Sequence, residues 1–144
     1  MILRPVKHTD MEYIRRWRNA QISILRQPKR LSREQQEKYW EDRHNRKEKL
    51  FMIVVDGLTI GYGGFVHIKG KTAEGSYLID PALNDGDYHE DFVEALKAEA
   101  KEAKITKITA ETFLKRKAHI KRLEGCGFVE VCRDSNSIFH EVKV

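Results

Sequence analysis

Residues 50–80 read LFMIVVDGLTIGYGGFVHIKGKTAEGSYLID. An apolar run from Leu50 to Val55 meets Asp56-Gly57, and a second run extends from Leu58 to Ile68. Asp-Gly between two apolar runs predicts a two-residue hairpin, because both central positions need positive φ and these residues tolerate it. A third run, Thr72 to Asp80, holds Tyr77-Leu78-Ile79 and predicts another hairpin-linked strand. Three strands joined by short turns place an antiparallel unit at the middle of the chain.

Working outward, Ile2-Leu3-Arg4-Pro5-Val6 predicts a short strand, and Pro5 favours an edge because it cannot donate to a ladder. Thr9-Asp10-Met11-Glu12 has capping-box spacing and predicts a helix to about Ile22, with Met11, Ile14 and Trp17 on one face. Ser32-Arg33-Glu34-Gln35 is a second box, opening a helix that carries Tyr39 and Trp40. Trp17 and Trp40 read as core or groove-wall residues. Downstream, Tyr88 to Lys104 predicts a helix whose stripe is Phe92, Leu96 and Ala100, with Ala95 and Ala103 beside it. Ile105 to Phe113 predicts a strand. A short helix with Ile120 and Leu123 follows, ended by Gly125-Cys126-Gly127-Phe128. Phe128–Arg133 and Ser137–Val144 are closing strands joined by Asp134-Ser135-Asn136.

The order is β-α-α-β-β-β-α-β-α-β-β. Helix-linked strands pair in parallel, so Thr72–Asp80 and Ile105–Phe113 should lie side by side, while the hairpins are antiparallel. The fold class is therefore α/β: one domain over residues 1–144, with a mixed, mostly antiparallel sheet and helices on both faces.

The chain has 144 residues, 40% hydrophobic and 34% charged, which suits one globular core. No apolar stretch reaches the roughly 20 residues a membrane span needs, and no signal-peptide core opens the chain. Cytoplasmic residence is the expectation. Cys126 and Cys132 have no metal-ligand spacing, so no metal is expected. Net charge is +5, unevenly spread: residues 1–50 hold 14 Lys/Arg against 7 Asp/Glu, and the rest 13 against 15. The basic first third attracts anions or simply forms a solvated face, and beyond that charge no nucleic-acid motif is present.

Five stretches, in this order, resemble the GNAT superfamily of N-acetyltransferases: LRPVKHTDMEYIRRWRN, LRQPKRLSREQQEKYWEDR, FMIVVDGLTIGYGGF, EGSYLIDP and AETFLKRKAHIKRLEGCGF. The likeness covers nearly the whole chain. It is similar to the branch that holds ribosomal-protein-alanine and amino-sugar N-acetyltransferases. The run Ala118-His119-Ile120-Lys121-Arg122-Leu123 also resembles GNAT-like proteins encoded by phages, some of them virion proteins that keep the fold without acetyl-CoA chemistry. The resemblance implies acetyl transfer from acetyl-CoA to an amine of a small molecule, such as an amino sugar, or of a protein. Its alternative is a catalytically silent domain acting through protein contacts, in a host cytoplasm or a virion.

Residue by residue, the resemblance puts a catalytic base at Glu111, which lies in ITAETF 17 residues before Phe128. Glu74 is a second candidate on the facing strand. Acetyl-CoA would contact backbone at Leu78 and Ile79 and the following loop at Asn84, Gly86, Asp87 and Tyr88. That loop reads DPALNDGDYHEDF, whereas the family's pyrophosphate loop is Gln/Arg-x-x-Gly-x-Gly/Ala. Small residues there let backbone N–H groups approach phosphate oxygens. No frame restores both glycines here. Asp85, Asp87, Glu90 and Asp91 are instead expected to serve the positive end of their own helix, each by roughly 0.3–1 kcal/mol. The family's acid tyrosine falls on Leu123, with Tyr88, His119 or Cys126 as substitutes. Arg15, Arg18, Asn19, Arg26 and Arg30 are placed over the acceptor groove, where they would suit an anionic acceptor. Edge strands and the C-terminal hairpin leave room for a homodimer.

Overall fold

The computed structural model describes residues 1–25 and 29–144. Strands β1 (Ile2–Pro5), β2 (Lys49–Val55), β3 (Leu58–Lys69), β4 (Thr72–Ile79), β5 (Lys107–Phe113), β6 (Val129–Arg133) and β7 (Ser137–Lys143) form one sheet in the order β1-β2-β3-β4-β5-β7-β6. Helices α1 (Met11–Ala20) and α2 (Arg33–Glu41) follow β1, α3 (His89–Glu102) links β4 to β5, and α4 (Lys117–Gly125) links β5 to β6.

The central hairpin forms as its turn chemistry dictates, with Asp56 at φ 49° and Gly57 at φ 79°. Close approach of backbones decides Gly63 in β3. A Cβ there would stand 2.3 Å from the Ser76 carbonyl oxygen and 2.9 Å from Phe92 Cζ, so only glycine lets β4 and α3 close on this strand. Pro5 does lie on an edge strand. At the other edge, every residue of β6 is exposed.

Two cores flank the sheet. On one face Phe92, Val93, Leu96 and Ala100 of α3 and Leu123 of α4 pack on Phe51, Ile53, Phe65 and Ile108. On the other, Met11, Ile14 and Trp17 of α1 pack on Met52, Tyr62 and Leu78. Alternation along the strands creates both faces, because neighbouring residues point to opposite sides.

The entry to α1 departs from expectation. Thr9–Glu12 is not the capping box; a 3-10 turn over His8–Asp10 leads into the helix, and Asp10 makes no side-chain cap. Arg4 takes the Asp10 carboxylate instead, with both Nη atoms donating at 2.8 Å, and the Lys7 N–H donates to it at 2.7 Å. This fork ties β1 to α1, and hydrogen bonding from Arg4 holds the Asp10 carboxyl below its ordinary range. Glu12 turns to Arg15 at 2.6 Å. Helix α1 ends at Ala20 and a 3-10 turn covers Ile22–Ile24. The Ser32 box forms as read: Gln35 N–H donates to Ser32 Oγ at 3.1 Å, and Ser32 N–H donates to Gln35 Oε1 at 2.9 Å.

One feature of the sheet positions the site. Strands β4 and β5 pair in parallel only from Thr72 to Glu74 against Lys107 to Thr109. Beyond Glu74, β4 stays paired with β3 to Ile79, while β5 stays paired with β7 to Phe113. Each follows its antiparallel partner, and a wedge opens between them.

Candidate active site

The wedge is a cleft of about 520 Å³. Gly75, Ser76 and Tyr77 line it from β4, and residues 110–113 line it from β5. Helix α3 contributes His89 and Phe92; α4 contributes His119 and Leu123, and Arg116 comes from the N-cap of α4. Arg18 and Glu48 reach it from the opposite layer. Backbone of β4 past Glu74 has no strand partner on this side, so its peptide groups can bond a ligand.

Both candidate carboxylates stand in this cleft. Glu111 accepts a hydrogen bond from Ser137 Oγ at 3.0 Å, across the β5–β7 ladder. Glu74 sits where the parallel pairing ends and pairs with His67 Nδ1 at 2.6 Å. His67 occupies an irregularity of β3 at φ 49°, which turns its ring to the Glu74 side chain.

Beyond the wedge lies the β4–α3 loop; Glu90 and Asp91 fall in the first turn of α3 as expected, but Asp85 and Asp87 lie in the 3-10 turn before it and no side chain caps the helix by a hydrogen bond. Tyr88 occupies the N-cap of α3 and caps nothing with its side chain. Asn84 Oδ1 caps only the preceding 3-10 turn, accepting from Gly86 N–H at 3.1 Å. Asp85 leaves the helix end for two guanidiniums, Arg116 of the α4 N-cap at 3.4 Å and Arg122 of α4 at 3.3 Å. A stronger opposite charge outcompetes a helix's partial charge. Tyr77 donates its hydroxyl to the Asp85 carbonyl at 2.6 Å. Burial raises the Tyr77 phenol above its ordinary range, so it stays protonated.

Under the loop, the His89 ring meets Tyr77 at 5.2 Å and His119 at 4.7 Å, both edge-on. Burial, then the positive Arg122, pushes His89 down to about 4. Burial, then Arg116 and His89, pushes His119 down to about 3. Both imidazoles are neutral at physiological pH and carry no proton for acid catalysis. Leu123 is buried at the tyrosine position. Cys126 is half-buried, and burial holds its thiol up.

The other sequence candidates fall in different places. Leu78 packs in the α1 core and Ile79 in the α3 core; the Ile79 carbonyl accepts from Gln21 Nε2 at 2.8 Å. The cleft wall of β4 is Gly75 to Tyr77, one step earlier. Asp87 is exposed, and Tyr88 packs against the α3 core. Of the cations, only Arg18 reaches the cleft, 3.5 Å from the Tyr62 hydroxyl. Arg15 pairs with Glu12, and Asn19 pins the Leu31 backbone through bonds of 2.8 and 3.0 Å. These two and Arg30 line a separate surface groove of about 280 Å³. Arg26 lies outside the described residues. In the cleft Arg18 stands with Arg116 among Glu48, Glu74 and Glu111, so the expected cations divide between two grooves. Sequence reasoning missed Tyr77, Arg122 and Ser137 as site residues. Alternation from the buried Ala73 would have put Tyr77 beside Gly75; no local signal marks the other two.

Among the described residues, no group of three or more His, Cys, Asp or Glu could hold a metal ion, and no helix is long and apolar enough to cross a membrane. No curated protein sequence matches the chain. Spermidine N-acetyltransferase from Vibrio cholerae, solved with CoA and spermine, superposes with a TM-score of 0.87 at 18% identity, over 99% of this chain and 94% of that one. A ribosomal-protein-alanine N-acetyltransferase from Brucella melitensis gives 0.81 at 16% identity over 100% of both chains. An N-acetyltransferase from Staphylococcus aureus Mu50 gives 0.81 at 19% identity, over 99% and 97%. These likenesses concern the fold. Residues 3–141 match the acetyltransferase (GNAT) domain family. With that match spanning nearly every element, the chain belongs to the GNAT family of acetyltransferase domains.

Proposed function

We propose that this domain is a working N-acetyltransferase, with Glu111 as the base. The observation that carries the reading is the parting of β4 from β5 beyond Glu74, over a cleft with Glu111 in its wall. Its volume and the unpaired β4 edge at Gly75, Ser76 and Tyr77 fit an extended thioester arm bonded through peptide groups. Bound there, acetyl-CoA supplies an acyl carbonyl for attack by an amine. Glu111 would take one proton from the incoming ammonium, directly or through one water, so that the free amine can attack; the second proton, shed as the amide forms and the C–S bond breaks, would neutralise the departing thiolate. Ser137 fixes the Glu111 carboxylate by its hydrogen bond. No side chain is assigned as acid, since Leu123 has no proton to give and the two buried imidazoles are neutral.

Carboxylates outnumber guanidiniums in the cleft lining: Glu48, Glu74 and Glu111 against Arg18 and Arg116. Glu48 is engaged by the Tyr39 hydroxyl. This balance favours an amine acceptor that arrives as a cation, and the acetylated neighbour substrate spermidine is of that chemical kind. An anionic amino sugar or acidic peptide fits this lining less well.

A specific observation supports a second reading. Asp85 fills the guanidinium pair beside the loop, and Leu123 replaces the acid, as in a silent domain that works through protein contacts in a phage or virion setting. Calorimetry with acetyl-CoA, paired with thermal melting, separates the two. Ligand at 100 times its dissociation constant adds about 2.7 kcal/mol of stability. No heat and no melting shift at millimolar acetyl-CoA would leave only the silent reading. Given binding, Glu111→Gln lowers turnover with polyamine acceptors by roughly 10²–10⁴-fold at nearly unchanged acetyl-CoA affinity; unaltered turnover clears Glu111 of the role.

A further inference from the structure

The contact between Asp85 and α4 has the form of an anion site with an anion already in it. Arg116 and Arg122 converge on one carboxylate at 3.4 and 3.3 Å. All three side chains are partly withdrawn from water, at 23%, 32% and 35% exposure. Two guanidiniums thus share one carboxylate in direct contact, with Asp87 also within electrostatic reach of the neighbouring Tyr77 hydroxyl. Burial lowers the Arg116 guanidinium below its ordinary range, which marks a real cost of keeping it charged there.

Three further observations point to a larger anion than a carboxylate. Arg122 Nε is buried with no hydrogen-bond partner, so the pair leaves donor capacity unused. His89 is 2% exposed, and its Nδ1 is likewise buried and without a partner in the cleft wall. Gly86 packs against the Arg122 fork: a Cβ there would lie 2.9 Å from Nη1. The lone glycine of this loop thus serves a guanidinium instead of a backbone nest.

We propose that Arg116 and Arg122 form a diphosphate site, which Asp85 occupies as a built-in competitor. Guanidinium forks match phosphate oxygens in pairs, so two forks offer a diphosphate more donors than a single carboxylate uses. Exchange requires only rotation of the Asp85 side chain. Its backbone is held by the Tyr77 hydroxyl at 2.6 Å and by Tyr88 N–H at 3.2 Å, both donating to the Asp85 carbonyl. The site lies at the α3 end of the cleft, where the diphosphate of acetyl-CoA would emerge if the acetyltransferase reading holds. The loop's departure from glycines is then a change of mechanism, from peptide N–H groups to side-chain cations, with affinity set by competition.

Calorimetry on the full chain tests this with two titrants, inorganic pyrophosphate and acetyl-CoA. The proteins are wild type, Asp85→Asn, Asp85→Ser, Arg122→Gln and the Asp85→Asn/Arg122→Gln pair, each checked for a cooperative melt. Asp85→Asn should tighten pyrophosphate roughly tenfold, and Arg122→Gln should erase that gain. Asp85→Ser keeps the test standing if the amide variant melts poorly. Pyrophosphate affinity that is unchanged by either Asp85 variant, or undetectable in both, overturns the proposal. The acetyl-CoA arm reports on the acetyltransferase reading separately. Tightening of pyrophosphate with no acetyl-CoA binding to any variant keeps the diphosphate site and removes the enzyme. Equal acetyl-CoA binding to wild type and Asp85→Asn keeps the enzyme and removes the competitor.

Discussion

His89 and His119 sit edge-on at 4.7 Å between α3 and α4, beside two arginines and under a tyrosine. In the unfolded chain each imidazole charges near pH 6.5. In the folded chain burial delays that to about 4 for His89 and about 3 for His119. Above 6.5 neither state holds the proton and the pair is indifferent to pH. Below it the unfolded chain binds protons that the folded chain refuses, so stability falls progressively as pH drops from 6.5 to 4. For His89 alone the loss is on the order of 3 kcal/mol. Carboxylates such as Asp10 have lowered folded values, so their contribution is lost only further down, below about 4. Melting temperature measured from pH 7.5 to 4.5 should decline for wild type and decline less for His89→Phe; matching slopes would show that other groups set the acid response. At this scale the position of Glu111 in the cleft wall was legible in the sequence, because strand alternation is a local property, whereas its role as base came only from the family resemblance. Arg122 was not legible, because its partner Asp85 lies 37 residues away and meets it only through the packing of α3 against α4.

Element boundaries follow local chemistry where nothing competes for it. Ser32 and Gln35 close their box with each other, whereas the Asp10 carboxylate is shared between the Lys7 N–H and the Arg4 fork. The glycines of the central strand show the same contrast. Gly63→Ala drives a methyl into the Ser76 carbonyl and the Phe92 ring, so β3 must part from β4 or α3. Gly125, in the last turn of α4, has open space around it. Gly63→Ala should cost several kcal/mol, in the range of severe core disruptions, while Gly125→Ala should be neutral or stabilise by up to about 1 kcal/mol. Urea unfolding of the two variants checks both; a tolerated Gly63→Ala would mean that the sheet yields where it is drawn closest. The Asp-Gly turn and three hairpin strands could be read in advance, since turn type is written in two residues. That β4 and β5 pair for only three residues could not. It arises because each strand has a better partner elsewhere.

Over the whole molecule the two layers are unequal. Among the described residues the α3–α4 side buries 14 core residues and the α1–α2 side 6, so the first should hold together longer. Native-state hydrogen exchange should find α1 and α2 opening at lower free energy than α3, β4 and β5; equal protection of the two layers contradicts this. Taken by itself, the chain's pattern of apolar residues, turns and caps determined the element order, the parallel neighbour pair and a sheet covered by helices on both faces. Those follow from periodicity, which acts over a few residues. Only the tertiary structure decided where β4 parts from β5, that the cations of the first third largely face away from the cleft, and that DPALNDGDYHEDF sends Asp85 to two arginines. The physical reason is that charge pairing and strand divergence are settled by distance in space, among residues that the sequence keeps far apart.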